Sequence, residues 1–271
     1  MARDRALLER QRRGDPPVLR LYRWSPPAVS IGYHQDQADF PLERARVLGW
    51  DVVRRPTGGR AILHAEELTY AVVAGSPSPL FGSSLHSSYA RINEALLAFL
   101  SDLGIAGEIS SGESRAEARG TVCFQSAGQY EVRVGGRKLV GSAQRRSERA
   151  FLQHGSILFG PAHADLVRCL AVTGSAAGSG GGSGGGSAAG SGGGSGSGSG
   201  TGSGTGGNGI ADPAVVAARR HALLDATTDL GRLLGRAPDA PFTAVELERL
   251  EDRLEAAFAR AFALEPVPWS C

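Results

Sequence analysis

Residues 51–73 read DVVRRPTGGRAILHAEELTYAVV, and this stretch decides the fold. A β-rich run at 51–55 enters a Pro-Thr-Gly-Gly turn, and two further runs of β-formers follow at 61–64 and 68–73. Adjacent Gly58 and Gly59 carry no Cβ, so the backbone N–H groups of the turn can approach a ligand closely. Arg54, Arg55 and Arg60 flank the turn and offer charge to an acidic group. On residue pattern alone, a plain β-turn between two strands with solvated arginines is the commoner arrangement.

Working outward, residues 1–12 read as a helix, 18–24 alternate as a strand, and 28–32 form a short strand after Pro26-Pro27. Downstream, Tyr89, Ile92, Leu96, Phe99 and Leu103 recur at helical spacing, with Gly104 as a stop. Tyr130-Glu131-Val132-Arg133-Val134 then alternates, Gly135-Gly136 supplies a two-residue turn of the I′ kind, and residues 138–143 return. Residues 151–159 are expected to close the sheet. The spacing therefore predicts a mixed α and β unit over residues 1–173.

A segment at 174–209 is nearly all Gly and Ser. It has no side chains to bury and the most backbone entropy to lose, so it reads as a flexible tether. Residues 210–271 read as a helical C-terminal part that docks on the core. There Thr243-Ala244-Val245-Glu246 fits a capping box, and Leu247, Leu250, Leu254, Phe258 and Phe262 form one stripe behind it. A weaker helix is expected over 213–234, with Gly231 inside it.

The chain has 271 residues, 41% of them hydrophobic, which is enough for one sizeable core. Its formal charge of +2 excludes a nucleic-acid binder driven by bulk charge. Cys123, Cys169 and Cys271 are far apart and form no CxxC pair, so neither a zinc site nor a disulfide framework is expected. The N-terminal stretch has no apolar stretch of the secretory type, and no run approaches the ~20 apolar residues of a membrane span. The reading is a soluble, cytoplasmic protein with no metal, no cofactor, no nucleic acid and no membrane partner.

Three further places can carry chemistry. Cys123 sits in Thr121-Val122-Cys123-Phe124-Gln125-Ser126, between a polar loop and the hairpin. A thiolate attacks a thioester well and gives a second thioester of similar energy, so such a transfer needs no ATP. Lys138 enters the Gly141-Ser142-Ala143 strand, where its ammonium favours a nearby thiolate or an oxyanion. His154-Gly155-Ser156 lets another group approach the backbone. Each has a bland counterpart: a buried apolar cysteine, a solvated hairpin lysine, a satisfied core histidine. His86 and His163 receive no role, and Arg145, Arg146 and Arg149 read as a solvated face that would attract an acidic partner.

Taken together and in order, these runs resemble the biotin/lipoate protein ligase superfamily, and within it the octanoyltransferases of the LipM type. Arg54-Arg55-Pro56-Thr57-Gly58-Gly59-Arg60, His64, Glu67-Leu68-Thr69-Tyr70, Val122-Cys123-Phe124, Lys138 through Gln144 and Leu152-Gln153-His154-Gly155-Ser156 carry the resemblance. It implies an α+β fold, with a mixed, mostly antiparallel sheet flanked by helices. It implies that Cys123 takes octanoyl from acyl carrier protein as a thioester, and that Lys138 orients the carbonyl. Arg55, Thr57, Gly58, Gly59, Arg60, His64, Gly141, Ser142, Ala143, His154 and Gly155 would then line the acyl pocket. The implied acceptor is a lysine on a lipoyl-domain protein such as the glycine-cleavage H protein. The resemblance also implies a strand ahead of the first helix, and it has no counterpart for the tether.

Related activities share the fold. An ATP-dependent lipoate ligase would form an adenylate and needs no cysteine, and its turn usually carries a third glycine where Arg60 stands here. An amidotransferase between carrier proteins would also use cysteine. An inactive relative would only bind acyl carriers.

Overall fold

The computed structural model describes residues 1–36, 42–110, 130–170, 212–265 and 267. In chain order these form helix α1 (Ala2–Gln11), strands β1 (Val18–Tyr22) and β2 (Ala28–Ile31), helix α2 (Leu42–Val47), and strands β3 (Asp51–Arg54), β4 (Ile62–His64) and β5 (Glu67–Gly75). Helix α3 (Leu85–Asp102) follows, then β6 (Glu108–Ile109), β7 (Val132–Val134), β8 (Arg137–Arg146) and β9 (Ala150–Leu158). A 3-10 helix (Pro161–Arg168) and helices α4 (Pro213–Ala226), α5 (Leu230–Leu233) and α6 (Ala244–Phe262) complete the set.

Two sheets organise the core. The larger has the order β1-β5-β9-β8-β7-β6 and is antiparallel throughout; the smaller has the order β3-β2-β4, with β2 parallel to β3 and antiparallel to β4. Residues 151–159 were expected to close the sheet. Instead β9 lies in its middle, between β5 and β8, because all nine of its residues are buried and none offers a face to water. The two-residue β6 forms one edge. Gly135 and Gly136 take φ of 55° and 74°, as the hairpin turn requires.

Side-chain alternation along β5 sorts the layers. Leu68, Tyr70, Val72 and Ala74 meet Ile92, Leu96 and Phe99 of α3 and Leu254, Phe258 and Phe262 of α6. On the opposite face, Ala71 and Val73 meet Leu7 and Leu8 of α1. The smaller sheet packs through Val29, Ile31 and Leu63 against Leu166 and Val167 of the 3-10 helix and Leu223 of α4. The stripe on α6 is thus buried against the same cluster as the central strands, behind the capping box of Thr243 and Glu246. No described helix is long and apolar enough to cross a membrane.

The helix expected over 213–234 is broken. It stops at Ala226, and Thr227 turns extended, with φ −123° and ψ 162°. The backbone leaves the helix to bond the core: Thr228 N donates to Lys138 O at 3.0 Å, and Gly231 N to Phe159 O at 3.0 Å. His163 Nε2 stands 2.9 Å from Thr227 Oγ1 and ties the 3-10 helix to the same break.

Two measurements check this packing. Leu254→Ala empties a fully buried site and is expected to lower unfolding free energy by about 2–5 kcal/mol in urea titration. Burial pushes the His163 imidazole down to about 4, against a usual value of 6.5. Between those values the unfolded chain binds the extra proton, so stability is complete above pH 6.5 and falls as pH drops towards about 4. The expected loss is up to about 3 kcal/mol, and His163→Gln flattens the profile in that window.

Candidate active site

The glycine turn is held from behind rather than solvated. Gly59 takes φ +88°, and a Cβ placed on Gly32 would lie 1.8 Å from Gly59 O, so turn and β2 meet backbone to backbone. Tyr33 N donates to Thr57 O at 2.9 Å, and Arg55 N to Ile31 O at 3.0 Å. Arg55 is 3% exposed, and its guanidinium reaches Ser30 O (2.9 Å), Gly58 O (2.9 Å) and Arg60 O (2.6 Å). Arg54 Nη1 bonds the carbonyls of Gly32, Tyr33 and Gln35. The pattern-based picture of solvated turn arginines is therefore replaced by arginines that knit the turn together, because buried carbonyls need donors. Arg145 and Arg146 also differ from a solvated face: Arg145 bonds Pro56 O and lies over the Tyr33 ring, and Arg146 bonds Ser83 O, Ser84 O and Ser76 Oγ. Arg149 alone of the three is exposed.

Behind this turn lies a narrow cavity of about 30 Å³. Of the residues singled out in the sequence, Arg55, His64, Lys138, Gly141, Ser142, Ala143, His154 and Gly155 all form its wall. Thr57, Gly58, Gly59 and Arg60 stand outside that wall; Gly58 and Arg60 bond Arg55 through their carbonyls, Thr57 bonds His154, and Gly59 abuts Gly32. A Cβ on Gly155 would lie 2.7 Å from Ser142 Oγ and 2.6 Å from Tyr70 Cε1, so only glycine lets β9 approach β8 here. The Tyr70 hydroxyl stands 2.7 Å from Ser142 Oγ and accepts from Gln153 Nε2 at 3.1 Å. Burial pushes the Tyr70 phenol up to about 12, so it stays neutral and fixes Ser142 by hydrogen bonding.

Lys138 is 2% exposed, and its ammonium pairs with the Glu131 carboxylate, itself 7% exposed. Glu131 is set by its neighbour. Tyr130 holds φ +72°, its carbonyl accepts from Asn93 Nδ2 at 2.9 Å, and its ring stacks on Tyr89 at 5.2 Å. A non-glycine residue in that region costs energy and persists only where surroundings enforce it. The Lys138 carbonyl is the acceptor for Thr228 N, so the C-terminal part touches the residue that enters the cavity.

Two buried histidines are held differently, His64 by a carboxylate and His154 by a hydroxyl. His64 Nδ1 lies 2.7 Å from Glu67 Oε1, and Nε2 lies 2.7 Å from Ser30 Oγ. Thr69 Oγ1 (2.7 Å) and Ser156 Oγ (2.9 Å) also donate to Glu67 Oε1, and Trp24 stacks on the His64 ring at 4.3 Å. His154 Nε2 is 2.6 Å from Thr57 Oγ1, while Nδ1 is 3.7 Å from Asp4 Oδ2, past hydrogen-bond reach. Burial holds His154 below its usual range against the pull of Asp4, and the ring is neutral. Asp4 is bound by Arg20 at 2.5 Å and by the Tyr22 hydroxyl at 3.3 Å.

Cys123 and Cys271 lie outside the described residues. The segment that carries Cys123 is flanked by Ser110 and Tyr130, which are joined: Tyr130 N donates to Ser110 O at 3.2 Å, and Ser110 N to Glu131 O at 2.8 Å. Cys169 is 2% exposed, and burial pushes its thiol up to about 11, which removes it as a nucleophile. Sequence reasoning missed Glu131, Glu67, Ser30, Asp4 and Thr228. Glu67 sits three residues after His64 and Glu131 inside a strand pattern, which are weak signals for charges that become buried.

A buried lysine and a Gly-Ser-Ala strand meet at one cavity, behind the glycine turn of an α+β domain. The family model described as "Lipoyl protein ligase A/B catalytic domain" matches residues 1–182, and the chain belongs to that family. It is 45% identical over 180 residues, 65% of this chain and 66% of the relative, to Octanoyltransferase LipM of Moorella thermoacetica. It is 46% identical over 165 residues, 58% of this chain and 60% of the relative, to Octanoyltransferase LipM of Symbiobacterium thermophilum. The chain thus spans about three fifths to two thirds of the length of the curated relatives it matches. Among solved structures, lipoate-protein ligase A bound with ATP superposes with a TM-score of 0.63 at 20% identity, covering 97% of this chain and 80% of that one. A bi-partite lipoate protein ligase of Thermoplasma acidophilum gives 0.64 at 19% identity, covering 97% and 78%. These two likenesses confirm the mostly antiparallel fold.

The Lys138–Glu131 pair can be tested directly. A double-mutant cycle of Lys138→Met and Glu131→Gln, read by urea unfolding, is expected to give a coupling of about 1 kcal/mol or more. Each single change should destabilise by about 3–5 kcal/mol, because it strands the other group.

Proposed function

We propose that this chain is an octanoyl-[acyl carrier protein]:protein N-octanoyltransferase that works through a cysteine thioester. The observation that supports it most is the convergence of Lys138, Gly141-Ser142-Ala143, His154-Gly155, Arg55 and His64 on one cavity. The relatives at 45% and 46% identity bear the name octanoyltransferase. Residues 1–173 would be the catalytic core, 174–209 a tether, and 210–271 a docked part of the same unit. The cytoplasm would be its compartment, where acyl carrier protein donates and a lipoyl-domain protein such as the glycine-cleavage H protein accepts.

In the first half-reaction the Cys123 thiolate attacks the carrier's thioester carbonyl. A new C–S bond forms on Cys123, the old one breaks, and the carrier sulfur leaves with the proton that the Cys123 thiol gave up. One thioester replaces another, so no ATP is consumed. The Lys138 ammonium, held by Glu131, favours the thiolate and balances the oxyanion. The cavity holds only about 30 Å³, so an octanoyl chain needs the wall to widen. In the second half-reaction the acceptor lysine takes the acyl group as an amide.

Octanoyl-acyl carrier protein, an apo lipoyl domain and the purified chain, without ATP, are expected to give one octanoylated lysine, with octanoyl trapped on Cys123 by mass spectrometry. Cys123→Ala abolishes transfer, and Lys138→Met lowers it by about a hundredfold or more. Strict ATP dependence would instead identify a ligase. Activity that survives Cys123→Ala would remove the cysteine mechanism, and carrier binding without transfer would leave only a binding protein.

A further inference from the structure

A second, larger space adjoins the acyl cavity. It is a groove of about 750 Å³ between the core and the C-terminal helices, within the ordinary size of a substrate pocket. His64 lines both spaces, while Glu67 lines the groove alone.

The charge of this groove is not what its arginines suggest. Arg23 pairs with Glu251 at 2.8 Å, Arg220 with Asp165 at 2.6 Å and Arg236 with Glu246 at 2.7 Å, so each is neutralised. Glu66, Glu67, Asp229 and Asp239 remain on the wall, against Arg232. The balance favours a cation.

The second observation is on Glu67 itself. It is 5% exposed, and its Oε1 accepts from His64, Thr69 and Ser156, yet its Oε2 is buried without a hydrogen-bond partner among the described residues. A bare carboxylate oxygen in the interior carries a desolvation cost that a donor would remove. Trp24 covers the pair, stacked on His64 and donating to Thr69 Oγ1 at 2.8 Å.

We propose that this groove admits a primary amine, the acceptor's lysine, and that Glu67 binds its ammonium and takes its proton. The proposal rests on the acyl-transfer reading above and names the entry of its second substrate. As Trp24 turns outward, the ammonium meets Glu67 Oε2 and gives it one proton. The neutral amine then crosses beside His64, the wall shared with the acyl cavity, and attacks the thioester carbonyl. The C–N bond forms, the C–S bond breaks, and the sulfur leaves on Cys123, where it receives the second proton from nitrogen. One thioester and one amine become one amide and one thiol, with the ammonium's extra proton on Glu67. His64 positions the carboxylate through Nδ1.

The experiment separates the two half-reactions in the full chain. Octanoyl loading from octanoyl-acyl carrier protein is followed by mass, and transfer from the loaded chain to an apo lipoyl domain is followed in a single turnover. Glu67→Gln is expected to lower the ratio of transfer rate to loading rate at least tenfold and to move the transfer pH profile upward, because the amine must then lose its proton in solution. Glu67→Asp restores part of the ratio. Leu224→Trp, which fills the groove away from the acyl cavity, is expected to lower the same ratio, and it decides the matter if Glu67→Gln does not fold. A ratio within twofold of the unchanged chain in the folded variants overturns the proposal, and so does an equal fall of both rates in Leu224→Trp. Absence of loading in the unchanged chain would remove the acyl-enzyme reading as well.

Discussion

A charged ammonium sits almost wholly out of water at Lys138, and much of the molecule is arranged so that it can. An unpaired buried charge is far too costly, so a carboxylate must accompany it. Glu131 supplies that carboxylate, and Glu131 is placed by a strained Tyr130 that α3 clamps through Asn93 and Tyr89. The other side of Lys138 is closed by its own backbone, whose carbonyl accepts from Thr228. Helix α3, the β7–β8 hairpin and the C-terminal part therefore meet at a single residue.

The same rule governs the rest of the wall. Arg55 is buried where its guanidinium donates to the carbonyls of Ser30, Gly58 and Arg60, and Gly32 is a glycine because the backbone of Gly59 touches it. His64 and His154 are held by buried groups from β5, β2 and the glycine turn. A neutral His154 and a neutral Tyr70 leave Lys138 and Arg55 as the positive groups on the wall, beside the strand of small residues. That combination suits a site where negative charge appears briefly on a carbonyl oxygen.

Packing explains why the C-terminal part belongs with the core despite the long tether. Leu254, Phe258 and Phe262 are buried in the same cluster as the central strands, and Thr227 and Thr228 break a helix to reach the site. The break is useful: a continuous helix over that span would satisfy its own backbone and leave Lys138 and Phe159 without donors. Charge in the adjoining groove is likewise a product of pairing, since Arg23 and Arg220 are neutralised by carboxylates far away in sequence and Arg236 by one ten residues on.

The sequence by itself determined most of the elements and, through the resemblance its short motifs carry, named eight residues that the fold brings to one cavity. Alternation, the Gly135-Gly136 turn and the Thr243 capping box are local signals, and local backbone physics is enough to read them. Arg55, His64, Lys138, Gly141 and His154 were visible because motif residues cluster in short runs. Tertiary structure alone decided that β9 is central, that Arg55 of the turn faces inward, and that Glu131, Glu67 and Thr228 meet the residues of the cavity wall. The reason is physical: whether a charge is solvated or buried depends on what the fold brings against it from distant segments, and periodicity in one strand carries no information about that.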